Sequence, residues 1–221
     1  MKNKEAKWFR WQEVNGRLSK LEERGNVVDL YDYICTIAPK FLRHCHIKRL
    51  QAKQYELDKK LASAKESKIG VLQMDFAENY SCVVQDEIQS AHWNQNQVTL
   101  FTTVAWFKGT IDSQVIVSDF MEHTKKAVVP FLDEVLKVFP PGIEEVRVWI
   151  DGPSSQFKNR FVKASIKTLT QRRGINLCWN FSATSHGNGP VNGIGGCLKR
   201  GSHESENGKK IQKVKIFFCI S

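Results

Sequence analysis

The stretch that decides the fold is residues 148–160, VWIDGPSSQFKNR. In it an apolar run ends at a single carboxylate, Asp151, and a Gly-Pro pair separates this carboxylate from a basic segment. Such an order is typical of a buried strand, a turn and the start of a helix. Residues 69–75, IGVLQMD, repeat the first half of the pattern and end at Asp75. The sequence therefore predicts two strands that each end at an aspartate.

Strands and helices alternate on both sides of these two stretches. Residues 97–109 and 112–120 are rich in β-branched and aromatic side chains and are predicted strands. Apolar residues recur at helical spacing in residues 123–139 and 156–174, and residues 175–184 form a last predicted strand. A Gly-rich turn then opens a short final helix. This order predicts an α/β fold with a mixed sheet flanked by helices.

The first 68 residues differ from the rest in composition. Residues 1–68 contain 16 basic and 9 acidic residues, and they predict a helix over residues 1–24 and a second, longer helix after Gly25 with a break at Pro39. We therefore divide the chain into a basic helical segment, a sheet domain over residues 69–200, and a polar tail over residues 201–221.

The net charge of +10 favours a polyanionic partner such as DNA, although solvated helix faces explain the charge equally well. No apolar run is long enough for a membrane span, and the N-terminus has no signal-peptide pattern. We expect an intracellular protein, located in the nucleus if it binds DNA, and no membrane partner. The sequence leaves open whether the protein forms a homo-oligomer. The six cysteines form no CxxC pair and read as buried small hydrophobes rather than as a zinc site.

The two strand-end aspartates are candidates for metal chemistry. If their strands are neighbours, Asp75 and Asp151 lie side by side at one edge of the sheet. Two adjacent carboxylates repel each other unless a cation lies between them, and oxygen ligands favour Mg²⁺ or Mn²⁺. A pair of such ions can drive phosphodiester cleavage. A single strand-end aspartate, by contrast, is more often a turn former.

A basic helix follows the second aspartate. From residue 157 to residue 173 the chain contains no acid. Solvated helices usually mix both signs of charge, so this composition favours contact with a phosphate backbone over a plain solvent face. The candidate nucleic-acid-binding residues are Lys158, Arg160, Lys163, Lys167, Arg172 and Arg173.

Several longer strings resemble a known superfamily. The order of elements, with LQMDFAENY and WIDGPSSQFKN as the two acidic strands, resembles the RNase H-like fold of DDE/DDD transposases and retroviral integrases. DEIQSAHWNQNQVTLF, DGPSSQFKN and ATSHGNGPVNGIGG are similar to a transposon-derived group of invertebrate proteins, over roughly residues 40–200. The resemblance implies an RNase H-like sheet whose acids hold two divalent ions.

Carried over to this chain, the resemblance makes Asp75 and Asp151 the first two metal ligands. It implies a third acid where this chain has Asn192. An asparagine offers a carbonyl oxygen to a metal but has no negative charge and cannot act as a general base. Catalytic competence at Asp75, Asp151 and Asn192 is therefore an open question.

Three functions remain on the sequence alone. The first is a transposase-like, DNA-binding domain with a two-metal phosphoryl-transfer site that lacks its third acid. The second is a non-catalytic nucleic-acid-binding or assembly module that uses the same basic surfaces. The third is an unrelated doubly wound α/β domain with a small-molecule site at the Gly-rich turn. The third requires Asp75 and Asp151 to lie far apart.

Overall fold

A computed structural model of the chain describes residues 4–77, 79–81, 97–121, 125–151, 157, 160–182, 189–196 and 215–219. The chain divides into two compact units, Met1–Arg49 and Leu50–Ser221. A single long helix, α1 (Val27–Ala62), contributes residues to both units. None of the described helices is long and apolar enough to cross a membrane.

The first unit begins with a β-hairpin, where the sequence had predicted a helix over residues 1–24. Strands β1 (Glu5–Val14) and β2 (Arg17–Asn26) pair antiparallel along their whole length. The turn between them is Asn15-Gly16, and both residues have positive φ, +51° and +74°. A two-residue Asn-Gly turn of this kind matches the twist of a hairpin, which is why the helical prediction is wrong.

Helix α1 begins at a side-chain cap. The Asn26 side-chain oxygen accepts hydrogen bonds from the backbone N–H groups of Val28 and Asp29, at 2.8 and 3.1 Å. The Asp29 carboxylate accepts one in return from the Asn26 N–H at 2.8 Å. This reciprocal cap satisfies N–H groups that have no partner inside the helix.

The predicted break at Pro39 does not occur, because α1 continues through this residue. Proline removes one backbone hydrogen bond from a helix. The carbonyl that lacks its usual donor belongs to Cys35, which is exposed, so water can hydrate it.

The second unit is built on one sheet with the strand order β8-β7-β3-β5-β6-β9, and β4 pairs with one end of β5. Strands β3, β5 and β6 form an antiparallel meander, whereas β7 is parallel to β3 and β8 is parallel to β7. Its strands are β3 (Ile69–Phe76), β4 (Tyr80–Ser81), β5 (Gln97–Phe107), β6 (Thr110–Ser118), β7 (Glu145–Ile150), β8 (Asn176–Phe181) and β9 (Lys215–Cys219). The remaining helices are α2 (Lys125–Val135), which continues as a 3₁₀ turn at Leu136–Val138, α3 (Arg160–Arg173) and α4 (190–196).

This architecture confirms the predicted α/β fold, an RNase H-like mixed sheet flanked by helices. Three antiparallel strands come first and two parallel strands follow, each reached through a helix. Strand β9 lies within the predicted polar tail and pairs in parallel with β6. The domain boundaries drawn from composition stay predictions.

The two faces of the sheet carry different layers. On one face Leu72 and Met74 of β3 pack against apolar residues of α2 and α3, among them Leu132 and Leu169. On the other face lies a smaller cluster that takes in the last turns of α1 and the start of α4: Ala62, Val71, Val104, Trp106, Trp149 and Val191. Alternation along β3 therefore directs Val71, and every second residue after it, toward the α1 and α4 side.

A buried carboxylate joins α1 to this second face. Asp58 is 1% exposed and accepts hydrogen bonds from Arg147 Nη1 at 2.6 Å and from Trp149 Nε1 at 2.9 Å. The Gln54 amide donates a third at 2.7 Å. A buried charge with this many donors is compensated, and removal of Arg147 would leave Asp58 buried without its counter-charge. Arg147 itself is only partly buried and also pairs with Glu145 at 2.7 Å.

The first prediction concerns Gly70, which lies on β3 against the ring of Phe139. A Cβ at this position would lie 2.4 Å from Phe139 Cε1. We expect Gly70→Ala to lower the free energy of unfolding by roughly 1–3 kcal/mol, because the buried ring must move. Urea denaturation checks this.

Gly193→Ala is the matched control, because nothing lies within 4 Å of a Cβ there. Gly193 is exposed on α4, where alanine favours the helix by up to about 1 kcal/mol. Equal effects of the two substitutions would contradict the packing given for Gly70.

Candidate metal and nucleic-acid site

The two predicted strand-end aspartates lie on neighbouring strands in the same register. In the parallel pair of β3 and β7, Met74 is opposite Ile150, and each is followed directly by its aspartate. Neighbouring strands are about 4.8 Å apart. Asp75 and Asp151 therefore lie side by side at the carboxyl ends of their strands. The third function considered above, a small-molecule site at the Gly-rich turn, required these two aspartates to lie far apart, and the structure contradicts that requirement.

The electrostatics of Asp75 agree with this placement. Burial raises the pKa of Asp75 to about 6; the N–H of Phe76 donates to the carboxylate and lowers the pKa, and the charge of Asp151 raises it. The charge of Asp151 therefore makes ionisation of Asp75 less favourable. A cation between two such carboxylates compensates for the hydration that a charged group loses on burial and reduces the repulsion between the two charges.

Asp75 opens onto a pocket of about 400 Å³ that also contains the third predicted position, Asn192. The pocket is lined by residues of β3, β5 and α4: Asp75, Phe76, Ala77, Thr102, Val191, Asn192, Gly195 and Gly196. Asn192 is exposed on α4, and its neighbour Val191 is buried under it. The fold thus brings Asp75, Asp151 and Asn192 to one end of the sheet.

Two glycines set the position of α4 over the strand end. At Gly189 a Cβ would lie 2.1 Å from the side-chain amide of Gln73, and at Gly195 it would lie 3.2 Å from the Ala77 Cβ. Gln73 and Ala77 are two residues before and after Asp75. A larger residue at Gly189 would push α4, and Asn192 with it, away from the strand.

Gln73 is itself held in place. It is 5% exposed, and its side-chain oxygen accepts a hydrogen bond from the hydroxyl of Tyr55 at 2.8 Å. The Tyr55 ring lies against the rings of Trp106 and Trp149, with centroids 6.0 and 5.4 Å away. The Gln73 side chain, against which the backbone of Gly189 lies, is therefore held by a packed group of aromatic rings.

On the other side of Asp75, the opposing strand contributes Thr102. The two residues are opposite each other in the β3–β5 ladder, and the Thr102 hydroxyl donates to the backbone carbonyl of Asp75 at 3.2 Å. Thr102 is 1% exposed. This contact fixes the backbone from which the Asp75 side chain projects.

The six basic candidates of the following helix fall into three groups. Lys158 lies outside the described residues. Arg160, Lys163 and Lys167 are exposed on α3, three and four residues apart, and therefore share one side of the helix. Arg172 and Arg173 have a partner, Asp133, as described next.

Arg173 donates to the Asp133 carboxylate at 2.6 and 2.8 Å and to its backbone carbonyl at 2.9 Å, and Arg172 lies 2.5 Å from the other carboxylate oxygen. Burial alone would raise the pKa of Asp133, but the guanidinium groups of Arg173 and Arg172 outweigh it and hold the pKa below its usual value. These two arginines thus tie α3 to α2.

Sequence reasoning missed the residues that position the site. Thr102 and Gln73 belong to apolar-looking strands, and only the ladder register shows which residue faces Asp75. The Gly-rich turn was interpreted as a tight turn, but its contact with Gln73 joins residues more than 100 positions apart. Glycine at both ends of a short helix was the signal that could have indicated close packing.

The residues at the pocket suit a hard divalent cation. Mg²⁺ is commonly held by one or two carboxylates while it keeps several waters. Asp75 and Asp151 supply that number, and Asn192, which lines the pocket together with Asp75, has an amide oxygen. Among the described residues there is no cluster of three or more His, Cys, Asp or Glu residues.

The chain belongs to a family described as a domain of unknown function (DUF8701), whose profile matches residues 51–220. No curated protein matches it. Among solved structures, one match is the human cytomegalovirus terminase nuclease domain, at a TM-score of 0.24 and 11% identity, over 69% of this chain and 65% of that chain. At this TM-score the likeness assigns neither a fold nor a function.

The second prediction is that the Asp75 carboxyl titrates near pH 6 and that Asp151→Asn lowers this pKa. The physical reason is that the substitution removes a neighbouring negative charge. Carbon-detected NMR of the side-chain carboxyl groups measures both values. Asp32→Asn, in the other unit, is the control and should leave the Asp75 titration unchanged; an equal effect of both variants would contradict the adjacency.

Proposed function

We propose that this chain binds DNA at the carboxyl end of its sheet and holds a divalent cation, Mg²⁺ or Mn²⁺, between Asp75 and Asp151 for phosphoryl transfer. The observation that carries this proposal is the shared register of β3 and β7, which puts two strand-end carboxylates side by side next to an open pocket. The resemblance of residues 40–200 to transposases supports the same reaction class.

The protein residues have separate tasks in this proposal. Asp75 and Asp151 provide charged oxygens, and the raised pKa of Asp75 means that ion binding displaces a proton below about pH 6. Thr102 holds the Asp75 backbone, and Gly189 allows α4 to approach it. When bound, a divalent ion would polarise a phosphoryl oxygen and lower the pKa of a coordinated water.

Asn192 limits what this site can do. Its amide oxygen can contact a cation or a phosphate-bound water, but it adds no negative charge and accepts no proton from a nucleophile. We therefore propose a site that binds the cation weakly and cleaves slowly, and that a carboxylate at residue 192 would strengthen.

A second candidate function is a non-catalytic nucleic-acid-binding or assembly module. The observation that favours it is the same amide, since Asp75 is the carboxylate that lines the pocket and α4 contributes none. In this case the pocket and the basic surfaces would still contact DNA, but no strand would be cut.

The third prediction tests the cation site directly. We expect Mn²⁺ to bind the native chain, to bind Asn192→Asp at least about tenfold more tightly, and to bind Asp75→Asn far more weakly. The physical reason is the added or removed negative charge, and about 1.4 kcal/mol corresponds to tenfold. Mn²⁺ electron paramagnetic resonance measures the free ion without any need for activity.

Nicking of supercoiled plasmid in the presence of Mn²⁺ then separates the two candidate functions. Slow nicking by the native chain, lost in Asp75→Asn and faster in Asn192→Asp, supports the catalytic proposal. Ion binding without nicking by any variant supports the non-catalytic module. Absence of Mn²⁺ binding by the native chain and by Asn192→Asp would rule out a cation site at these residues.

The fourth prediction concerns the exposed side of α3. We expect the triple variant Arg160→Gln, Lys163→Gln and Lys167→Gln to weaken DNA binding and to lower its dependence on salt by about 2.7 in log–log slope, because three phosphate contacts are lost. Its free energy of unfolding should change by less than about 0.5 kcal/mol, since these side chains are exposed.

Arg172→Gln with Arg173→Gln is the matched control on the same helix. It should lower stability by about 1 kcal/mol, because Asp133 loses both partners in a partly exposed ion pair, while the salt dependence stays near the native value. A loss of DNA affinity only in this double variant would contradict the assignment of the binding side.

A further inference from the structure

A second basic surface lies on α1, in the unit Met1–Arg49. The segment Lys40–Arg49, KFLRHCHIKR, has four permanently charged bases within ten residues: Lys40, Arg43, Lys48 and Arg49. All four are exposed. The sequence contains no acid between Asp32 and Glu56, so none of the four has an acidic neighbour three or four residues away on its own helix.

These bases differ from those of the hairpin in the same unit. There, Lys7 pairs with Glu22 at 2.6 Å, and Arg10 pairs with Glu23 at 2.8 Å. In contrast, within the part of the chain that the structure describes, no acidic group lies in ion-pair contact with any of the four α1 bases. A cluster of exposed like charges without counter-charges raises the electrostatic potential and attracts a polyanion.

The four bases occupy two opposite sides of the helix. At 3.6 residues per turn, Lys40 and Arg43 lie within about 60° of each other, and the pair Lys48 and Arg49 is centred roughly 160° away from them. A helix on a flat anionic surface needs bases on one side only. A helix in the major groove of B-form DNA, about 12 Å wide, has phosphates on both sides.

We infer that Lys40–Arg49 is a duplex-binding segment that enters the major groove of B-form DNA, with its two pairs of bases on the phosphates of opposite strands. The segment is about 15 Å long, which suits one pass through the groove. A second copy of the chain suits this surface less well, because it would bring four more like charges against the first four. The inference needs neither the cation nor Asp75 and Asp151.

The test is fluorescence anisotropy of the full chain with a fluorescein-labelled DNA duplex, in EDTA and over a series of KCl concentrations. The α1 variant is Lys40→Gln, Arg43→Gln, Lys48→Gln and Arg49→Gln. We expect the slope of log affinity against log salt to fall by about 3.6, because four phosphate contacts are removed. Arg43→Gln with Arg49→Gln, one base from each side, should lower it by about 1.8.

The matched control removes the same charge from bases that are ion-paired at the surface: Lys7→Gln, Arg24→Gln, Lys68→Gln and Lys137→Gln. Its slope should stay within about one unit of the native value. Circular dichroism checks that α1 stays helical in every variant; glutamine is a good helix former. If the four-base variant loses helix content, the double variant Arg43→Gln with Arg49→Gln provides the test of the salt slope instead.

The comparison of ligands completes the test. Duplex RNA has a deep and narrow major groove that does not admit a helix, so we expect it to bind more weakly than DNA. Equal affinity for duplex RNA, or for vesicles of anionic lipid, would overturn the groove assignment. So would an unchanged salt slope in the α1 variant, or a change in sedimenting mass with no change in slope, which would indicate a second copy as the partner.

These outcomes are separable from those of the proposed cation site. DNA binding in EDTA that depends on Lys40–Arg49, together with failure of Mn²⁺ to bind, would support the α1 surface alone. Mn²⁺ binding at Asp75 with no effect of the α1 bases would support the pocket alone.

Discussion

The parallel pairing of β3 with β7 is the constraint on which the rest of the second unit depends. Strand β3 lies at the centre of the sheet, hydrogen-bonded to β5 on one side and to β7 on the other. Because the side-chain period of a strand is two, a slip of one residue would bury Asp75 among the aromatic side chains beneath α2 and turn Met74 toward the side of the sheet that carries α1 and α4. The same register that hides Leu72 and Met74 therefore fixes both carboxylates at one edge.

The two faces of the sheet differ in composition and in structural role. The α2 and α3 side is almost wholly apolar and supplies most of the hydrophobic burial. The α1 and α4 side contains polar groups that are paired inside the protein: Asp58 with Arg147 and Trp149, and Gln73 with Tyr55. Buried polar groups with satisfied geometry specify one arrangement more sharply than apolar contacts do. The pocket lies on this second side, where the paired polar groups fix the arrangement of the surrounding residues.

Much of this could be predicted from the sequence, and the failures have physical reasons. The strand-end aspartates were visible because an apolar run and a turn bracket each of them. The hairpin at residues 5–26 was missed because Trp8 and Trp11 lie three residues apart, a spacing that is also typical of one face of a helix, whereas the Asn15-Gly16 pair decides the local fold. The ion pairs of Arg172 and Arg173 were missed because their acid, Asp133, lies on another helix. Ladder register and long-range pairing are tertiary information that no local pattern contains.

The ion pair that joins α1 to the sheet has a consequence for how the chain is made. Asp58 precedes Arg147 by 89 residues, so a ribosome working at about 5–20 residues per second needs roughly 4–18 s to supply the partner. Until then Asp58 has neither Arg147 nor Trp149 as a donor, and Tyr55 has only Trp106 of its two tryptophan neighbours. Contacts between residues this far apart form late in folding. A chaperone that shields α1 during synthesis would therefore be needed for longest at this end of the helix.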